Sequence, residues 1–462
     1  MNVKKLLCMV VAMLMALSAV ALAETDDLQA QLDAANARVA ELEAQVELYK
    51  PYYEAQIVAE FGDGGIIWRD DAMAEYEAAA SAYSQYGLNI DSYADAIKQD
   101  ILESLVQTAV LKAKATELGL DQLDDEARAT LEAKAAETYE SYIDSYKSYF
   151  AGEDATDEEA RAQTIAAMEQ YGLTLETLTR QMLDSQADEA LHTYVTGDVT
   201  VSDEEVQAKY EAMVANDEQS FADDYSYNNA RNGGETIAWN PEGYRAVKHV
   251  LIKFDDEQAK QYSDLQSTLA SLNEELEALD APAEEAAADK TADETGEEAP
   301  EPTAEPRSRD EIQADIANIV TETEVLYSQL LPDAEQVIND FNGGADFDSL
   351  IEKYNADPGM TREPTATNGY AVSASSTVYD PAFTEGAMSI EAVGQISAPI
   401  YGKSGIHIIY YLSDITPGAV PFEDIADAVR SAALADKVAQ TYNDQVAVWV
   451  EEAAPVYHAD RF

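Results

Sequence analysis

Two short apolar runs, each carrying one histidine, set the strongest constraint on this chain: Val247-Lys-His-Val-Leu-Ile-Lys-Phe254 and Ser404-Gly-Ile-His-Ile-Ile409. Both are rich in β-branched residues and read as buried strands. The chain has only four histidines, and two of them fall in the middle of these runs. A buried imidazole needs a hydrogen-bond partner, so each implies a polar cluster inside an apolar sheet. Taken singly, each reads as a satisfied core histidine. Taken together with what lies between them, they point to one site built from strands far apart in sequence.

At 462 residues there is room for two or three domains, each with its own core. Lys and Arg total 28 against 90 Asp and Glu, a formal charge of −62. That field repels nucleic acid and anionic lipid, so no nucleic-acid partner is expected, and it favours basic or unfolded clients. At the N-terminus, Lys4 and Lys5 precede an apolar run from Leu6 to Leu22, and Ala21-Leu22-Ala23 supplies a small-x-small cleavage pattern before Glu24. Residues 1–23 therefore read as a cleavable signal peptide, and the mature chain as extracytoplasmic, secreted or associated with the cell envelope. The single cysteine, Cys8, lies within that segment with no adequate apolar run before it, so it does not read as a lipid-attachment site. The mature chain would then have no disulfide, thiol nucleophile or cysteine metal site.

Leu28, Leu32, Ala35, Val39, Leu42, Val46 and Tyr49 follow a heptad spacing over residues 24–50, ended by Pro51. This is a helix with one apolar seam, available for a short homodimeric coiled coil or for docking on its own domain. Residues 57–68 read as a β-hairpin turning at Gly62-Asp-Gly-Gly65, after which Asp70 or Asp71 caps a helix. A helical region runs to about 215, with an apolar stripe at Ile97, Ile101, Leu105 and Leu111 stopped near Gly119. Tyr139, Tyr142, Tyr146 and Tyr149 share another helix face. Packing inside the domain is the plainer expectation for them, and an adaptable surface for unfolded segments the other. Ser202 and Glu205 form a capping box. Residues 216–244, with Asn228-Asn229, Gly233-Gly234 and Pro241, read as a linker.

A second domain opens with the His249 strand and is interrupted at once. Leu265, Leu269, Leu272, Leu276 and Leu279 form one seam, and Ile312, Ile316, Ile319, Leu326 and Leu330 another. Between them, residues 281–306 hold nine acidic residues and four prolines, too little apolar surface to offset the entropy of ordering. The spacing predicts an antiparallel helical hairpin with a disordered acidic tip. Helices follow at 333–342, 347–354 and 380–388, strands at 396–400 and 406–412, and an amphipathic helix at 422–449.

Residues 247–413 resemble a parvulin-type peptidyl-prolyl isomerase domain. The His249 strand looks like the family's opening His-Ile-Leu-Val-Lys strand, and Phe347, Leu350 and Tyr354 match its Phe-x-x-Leu-x-x-x-Tyr/Phe helix. Asp357-Pro358-Gly359 falls where bacterial members carry Asp-Pro-Gly, Phe383 matches the aromatic of the proline pocket, and Gly394-Gln-Ile-Ser-Ala-Pro399 and Ser404-Gly-Ile-His-Ile-Ile409 look like the closing turn and strands. The run Thr367-Asn-Gly-Tyr-Ala-Val372 keeps part of the family's Gly-Gly-x-Leu-Gly-aromatic segment, and Tyr379 replaces a methionine four residues before Phe383. With its signal peptide, helical N-terminal region and final helix, the chain resembles extracytoplasmic foldases of the PrsA/SurA type.

The resemblance implies an α+β chain: a mainly helical N-terminal chaperone module (51–215) completed by the C-terminal helix (416–462), and a parvulin-like domain (245–415). That domain would be a small antiparallel sheet with helices, carrying an acidic insertion at about 256–310. It further implies that Phe383, Met388 and Tyr379 line a proline pocket, that His249 and His407 form a paired imidazole network, and that Asp357 sits at its rim. Rotation about an X-Pro bond faces a barrier of ~18–20 kcal/mol and needs only a site that favours the twisted amide. No cofactor and no metal is therefore expected. Asp255-Asp256-Glu257 after the first strand excludes selectivity for phosphorylated Ser/Thr-Pro. The implied partners are unfolded or newly secreted polypeptides with X-Pro bonds. A holdase of the same architecture with an inactive isomerase domain is the second reading, and an interaction protein built on the heptad regions the third.

Overall fold

A computed structural model describes residues 28–87, 89–152, 155–280 and 307–462. The expected signal peptide with Cys8 and the expected acidic tip at 281–306 lie outside the described residues. The chain forms two units, one up to Thr200 together with Leu434–Phe462 and the other Val201–Ala433. No described helix is long and apolar enough to cross a membrane.

The first unit opens with α1 (Leu28–Glu54), which runs through Pro51 instead of ending there. Pro51 falls in the last turn, where its carbonyl accepts from Ala55 N at 3.1 Å, and Tyr53 packs edge-on to Trp68 at 5.1 Å, so tertiary contact carries the helix past the missing donor. β1 (Ile57–Phe61) and β2 (Gly65–Trp68) form the expected hairpin, with Gly62 and Gly64 at positive φ in the turn, and β9 (Val456–Tyr457) pairs on the other edge of β1. Trp68, not Asp70 or Asp71, is the cap residue of α2 (Arg69–Gln85), and the two aspartates sit in its first turn. Helices α3 (Ala94–Glu117), α4 (Asp125–Phe150), α5 (Asp157–Gln170) and α6 (Leu175–Thr196) follow, α5 and α6 entered through side-chain capping boxes. Val58, Leu102, Val106, Leu191 and Trp449 share the core. The tyrosine face of α4 is not part of it: Tyr142, Tyr146 and Tyr149 are exposed.

The second unit begins with α7 (Asp203–Ser220), capped by Ser202 and Glu205 as expected. The segment read as a linker is structured: α8 (Asp224–Gly233) is followed by β3 (Trp239–Asn240), with Tyr227 fully buried. Its asparagines and glycines suggested a flexible turn, but Asp223 caps the helix, Gly234 ends it in the left-handed region, and Tyr227 packs against Phe221 and Tyr244.

A four-stranded antiparallel sheet follows, in the order β5 (Tyr370–Val372), β4 (Arg245–Lys253), β7 (Gly405–Asp414), β6 (Ile400–Gly402). Along β4 and β7 the side chains alternate between faces. Val250, Ile252, Ile406 and Ile408 turn to one core with the inserted hairpin, α9 (Asp256–Asp280) and α10 (Arg309–Asn342), and with α11 (Phe347–Tyr354). Val247, Ile409 and Tyr411 turn to the other, against α13 (Pro381–Ser389); a short α12 (Thr365–Asn368) precedes β5.

Three boundaries differ from expectation. A separate helix at 333–342 is instead the end of α10, which continues through Pro332 because Leu326, Leu330, Ala334 and Val337 hold one buried face on the sheet across that point. The strand expected at 396–400 is reduced to a bridge between Ile396 and Tyr410: Ser397 Oγ takes the Ile409 N–H and Pro399 has no donor, so the ladder resumes only at Ile400. The last helix, α14 (Phe422–Glu452), is unbroken and longer than 422–449; it lies in the second unit to Ala433 and in the first thereafter. A two-residue β8 (Gly418–Ala419) pairs with β3.

Candidate functional site

The register of β4 on β7 explains how residues 158 positions apart meet. His249 lies opposite Ile409, and Leu251 opposite His407, so the two imidazoles are diagonal neighbours on one face. Their Nδ1 atoms are 3.1 Å apart, and both side chains are buried. Leu350 and Ile351 anchor α11 in the apolar core beneath, which delivers the loop that follows it. In that loop Asn355 Oδ1 accepts from Leu251 N and Asp357 N, both at 3.0 Å, fixing the turn to the strand. Asp357 is thereby aimed at the histidines, and its Oδ2 accepts from His249 Nε2 at 2.9 Å.

Asp357 has further donors. Tyr370 hydroxyl reaches Oδ2 at 2.9 Å and Gly359 N reaches Oδ1 at 3.0 Å. A Cβ at Gly359 would lie 1.9 Å from the Tyr370 hydroxyl oxygen, so a larger residue there would displace that donor from Asp357. Burial works to raise the Asp357 carboxyl, but the hydrogen bonds from His249, Gly359 and Tyr370 outweigh it and hold its pKa down to about 2. The group is a carboxylate, so the hydrogen between it and His249 sits on Nε2. Burial, with the nearby His249, lowers His407 to about 4, against the opposing pull of Asp380 and Asp357. With the His249 hydrogen on Nε2, its Nδ1 is a lone pair and His407 Nδ1–H donates to it. Asp357 thus sets the tautomers of a two-ring relay.

Phe383 presents itself edge-on to both rings, 5.1 Å from His249 at 76° and 5.3 Å from His407 at 72°. Tyr379 lies 5.5 Å from Phe383 and 5.5 Å from Tyr370, which extends the aromatic wall to the Asp357 side. Burial pushes both the Tyr370 and Tyr379 hydroxyls up, so they stay neutral donors. Phe383 is almost wholly covered, whereas Tyr379 and Met388 are half-buried in the same apolar cluster. The helix carrying Phe383 is held at its C-terminus by Arg245, whose Nη1 donates to the carbonyls of Ala387 at 3.1 Å and Ile390 at 2.9 Å. The same guanidinium lies 4.2 Å over the Tyr411 ring.

The structure therefore brings His249, His407, Asp357, Phe383 and Tyr379 together, with Met388 in the adjoining apolar cluster. The other two histidines are in the first unit, His192 beside Tyr442 and His458 on Glu60. Sequence reasoning missed Tyr370, Asn355 and Arg245. Tyr370 stood in the run compared with the family's glycine-rich segment, and its hydroxyl was the available signal. Among the described residues no group of three or more His, Cys, Asp or Glu side chains is placed to hold a metal. Nothing at the site is set up as a nucleophile. It offers an apolar aromatic wall beside a hydrogen-bond relay ending in a carboxylate.

Residues 328–413 match the family model of the rotamase, or PPIC-type PPIase, domain. The match begins inside α10 and so leaves out the His249 strand. No curated protein matches the chain. Among solved structures, PrsA from Bacillus subtilis is similar at 14% identity, covering 87% of this chain and 92% of that one, with a TM-score of 0.23. The foldase protein PrsA from Streptococcus pneumoniae is similar at 12% identity, covering 85% and 91%, with a TM-score of 0.25. A structure from Campylobacter jejuni described under PEB4 and Cj1289, two SurA-like chaperones, is similar at 13% identity, covering 68% and 92%, with a TM-score of 0.21.

Proposed function

Because the chain contains a parvulin-type, PPIC-type peptidyl-prolyl isomerase domain, we propose that it is an extracytoplasmic foldase that catalyses cis–trans isomerisation of X-Pro bonds in unfolded or newly secreted proteins. The observation that carries this reading is the chain Asp357–His249–His407 with Phe383 set edge-on across both imidazoles. Isomerisation breaks no σ bond and needs no cofactor. The twisted amide has lost its resonance, its carbonyl has gained ketone character, and its nitrogen has become pyramidal. A site that packs the proline ring against Phe383, Met388 and Tyr379 removes that end of the amide from water, and a polar edge fixed by His249, His407 and Asp357 favours the altered dipole over the planar one. Asp255, Asp256 and Glu257 beside the first strand disfavour phosphorylated substrates.

The test is acceleration of isomerisation of a proline tetrapeptide in a protease-coupled assay. Acceleration at micromolar protein is expected; its absence, with the domain shown to be folded, rejects catalysis. The near-complete cover over Phe383 supports a second reading, a holdase whose isomerase site does not turn over. Suppression of aggregation of an unfolded client without peptide isomerisation is the outcome that selects it. The placement outside the cytoplasm rests on Lys4, Lys5 and the Leu6–Ala23 segment. Self-association belongs to the same reading: Val39, Val46 and Tyr49 of α1 are exposed along the heptad seam, where a second copy would cover them. A monomer mass in sedimentation equilibrium at tens of micromolar rejects that part alone.

A further inference from the structure

The segment that sequence reads as a linker makes the most elaborate set of polar contacts beside the site. Asp224, at the start of α8, takes Tyr244 hydroxyl at 2.7 Å and Ser376 Oγ at 3.0 Å on Oδ1. Its Oδ2 takes the backbone N–H of Thr377 at 2.7 Å and of Val378 at 3.3 Å. One turn later Asn228, also buried, donates through Nδ2 to Asp224 Oδ1 at 3.0 Å and to its carbonyl at 3.1 Å, which fixes the amide orientation. That leaves Asn228 Oδ1 to accept from the Tyr379 hydroxyl at 2.7 Å. The loop from Ser376 to Tyr379 is thus tied at its backbone and at its terminal ring by two residues one turn apart on one helix. Neither residue lies within the 328–413 stretch that matches the isomerase family.

We propose that α8 is the positioning element of the prolyl site: Asn228 fixes the Tyr379 ring and Asp224 the backbone that carries it, so that Tyr379 forms a rigid wall beside Phe383. The inference rests on the prolyl-site reading and deepens it. The resemblance places a methionine where this chain has Tyr379. A thioether side chain repacks around whatever enters, whereas a ring tethered through its hydroxyl does not. The tether therefore makes that wall of the proline pocket rigid, so the site is selective for the shape of the ring packed against it, and the free energy of that selection is set by a helix outside the catalytic face. Asn228 and Asp224 act through Tyr379 and are positioning residues.

The experiment is a double-mutant cycle of Asn228→Ala and Tyr379→Phe in the full chain, each variant checked for native circular dichroism. Tetrapeptides carrying either proline or a ring-substituted proline are used in two ways: kcat and KM come from exchange spectroscopy, and Kd from titration monitored by NMR. Tyr379→Phe, which loses one buried hydrogen bond, is expected to raise KM and Kd about three- to tenfold with kcat within about twofold, and Asn228→Ala, which also loses its bonds to Asp224, at least as much. Discrimination among the peptides should narrow to a similar extent. The double variant should be no worse than Asn228→Ala alone, because without Asn228 the Tyr379 hydroxyl has already lost this acceptor. Additive losses, or unchanged KM and Kd with only a lowered melting temperature, overturn the proposal and leave the isomerase reading intact. A wild-type chain that binds the peptides but does not accelerate exchange, with Kd weakened non-additively in the variants, upholds the positioning role and removes catalysis. A wild-type chain that neither binds nor accelerates overturns both.

Discussion

Among single residues, His407 carries the sharpest consequence of burial. In an unfolded chain a histidine takes up a proton as pH falls through about 6.5. In the folded chain His407, kept neutral by burial and by its neighbour His249, does so only near 4. Between those values the unfolded state binds more protons, so this residue's contribution to stability falls as pH drops from about 6.5 to 4, by roughly 3 kcal/mol at most. Asp357 adds a second loss further down: with a folded pKa of about 2, its stabilisation is present above the usual carboxylate range and disappears as pH falls towards 2. Four histidines make the first effect directly visible by NMR. The His407 ring should take up its own proton with a midpoint near 4; full protonation with a midpoint near 6.5 would contradict the buried placement. At the aromatic wall, Phe383→Ala should lower kcat/KM at least about tenfold, while His192→Ala, in the other unit, should leave it within about twofold. Equal rates for the two variants sink the pocket assignment. These residues were legible because each stands in a short local signature. Asn228 and Tyr370 were not, since the groups that give them meaning, Tyr379 and Asp357, lie far away in sequence or outside any spacing rule.

Elements read well wherever periodicity alone decided them, and less well where tertiary packing overrode a local signal. The Phe347–Tyr354 helix and the hairpin of β1 and β2 fall where the pattern put them. Pro51 and Pro332 look like helix stops; Pro332 is overruled by the buried face that α10 keeps on both sides of it, and Pro51 falls in the last turn of α1. α8 was lost to its composition: a pair of asparagines and a pair of glycines suggest a turn, and only the burial of Tyr227 reveals a packed helix. The orientation of α13 offers a test on this scale. Its last carbonyls have no helical partners of their own, and Arg245 Nη1 donates to those of Ala387 and Met388, the latter the longest contact at 3.5 Å, and to that of Ile390 just beyond the helix. Arg245→Ala should destabilise the chain by about 2 kcal/mol through the lost charged hydrogen bonds and ring contact. It should also raise KM for prolyl peptides, because Phe383 rides on this helix. Arg245→Lys should recover the carbonyl contacts in part and the ring contact little, since all three acceptors converge on one nitrogen but an ammonium lacks the planar group that lies over Tyr411. Urea melts and peptide kinetics on the two variants decide it.

For the whole molecule, charge is the property the sequence states most plainly. With a formal charge of −62, long-range attraction acts on basic chains and repulsion on acidic ones. Suppression of aggregation of a basic unfolded client should weaken steadily as salt is raised from about 0.01 to 1 M, over which the screening length shrinks from about 30 to 3 Å. Suppression for an acidic client should hold or improve. Equal salt response for both means that apolar contact alone recruits clients.

The three- and four-stranded sheets share a temporal consequence. β4 is complete by Lys253, but the strand that covers it, β7, begins at Gly405, and the first unit's β1 waits for Val456 and Tyr457 near the end of the chain. Synthesis proceeds from the N-terminus, so the ribosome delivers each sheet half-finished and supplies its closing strand late. Contacts of such high sequence separation are slow to form. Pairing of α9 with α10 brings the ends of the insertion together, which shortens the loop that β4 and β7 must close. The imidazole relay is therefore assembled only after the family-matched segment has emerged, and a chain stalled before residue 405 holds one histidine of the pair with nothing to face it.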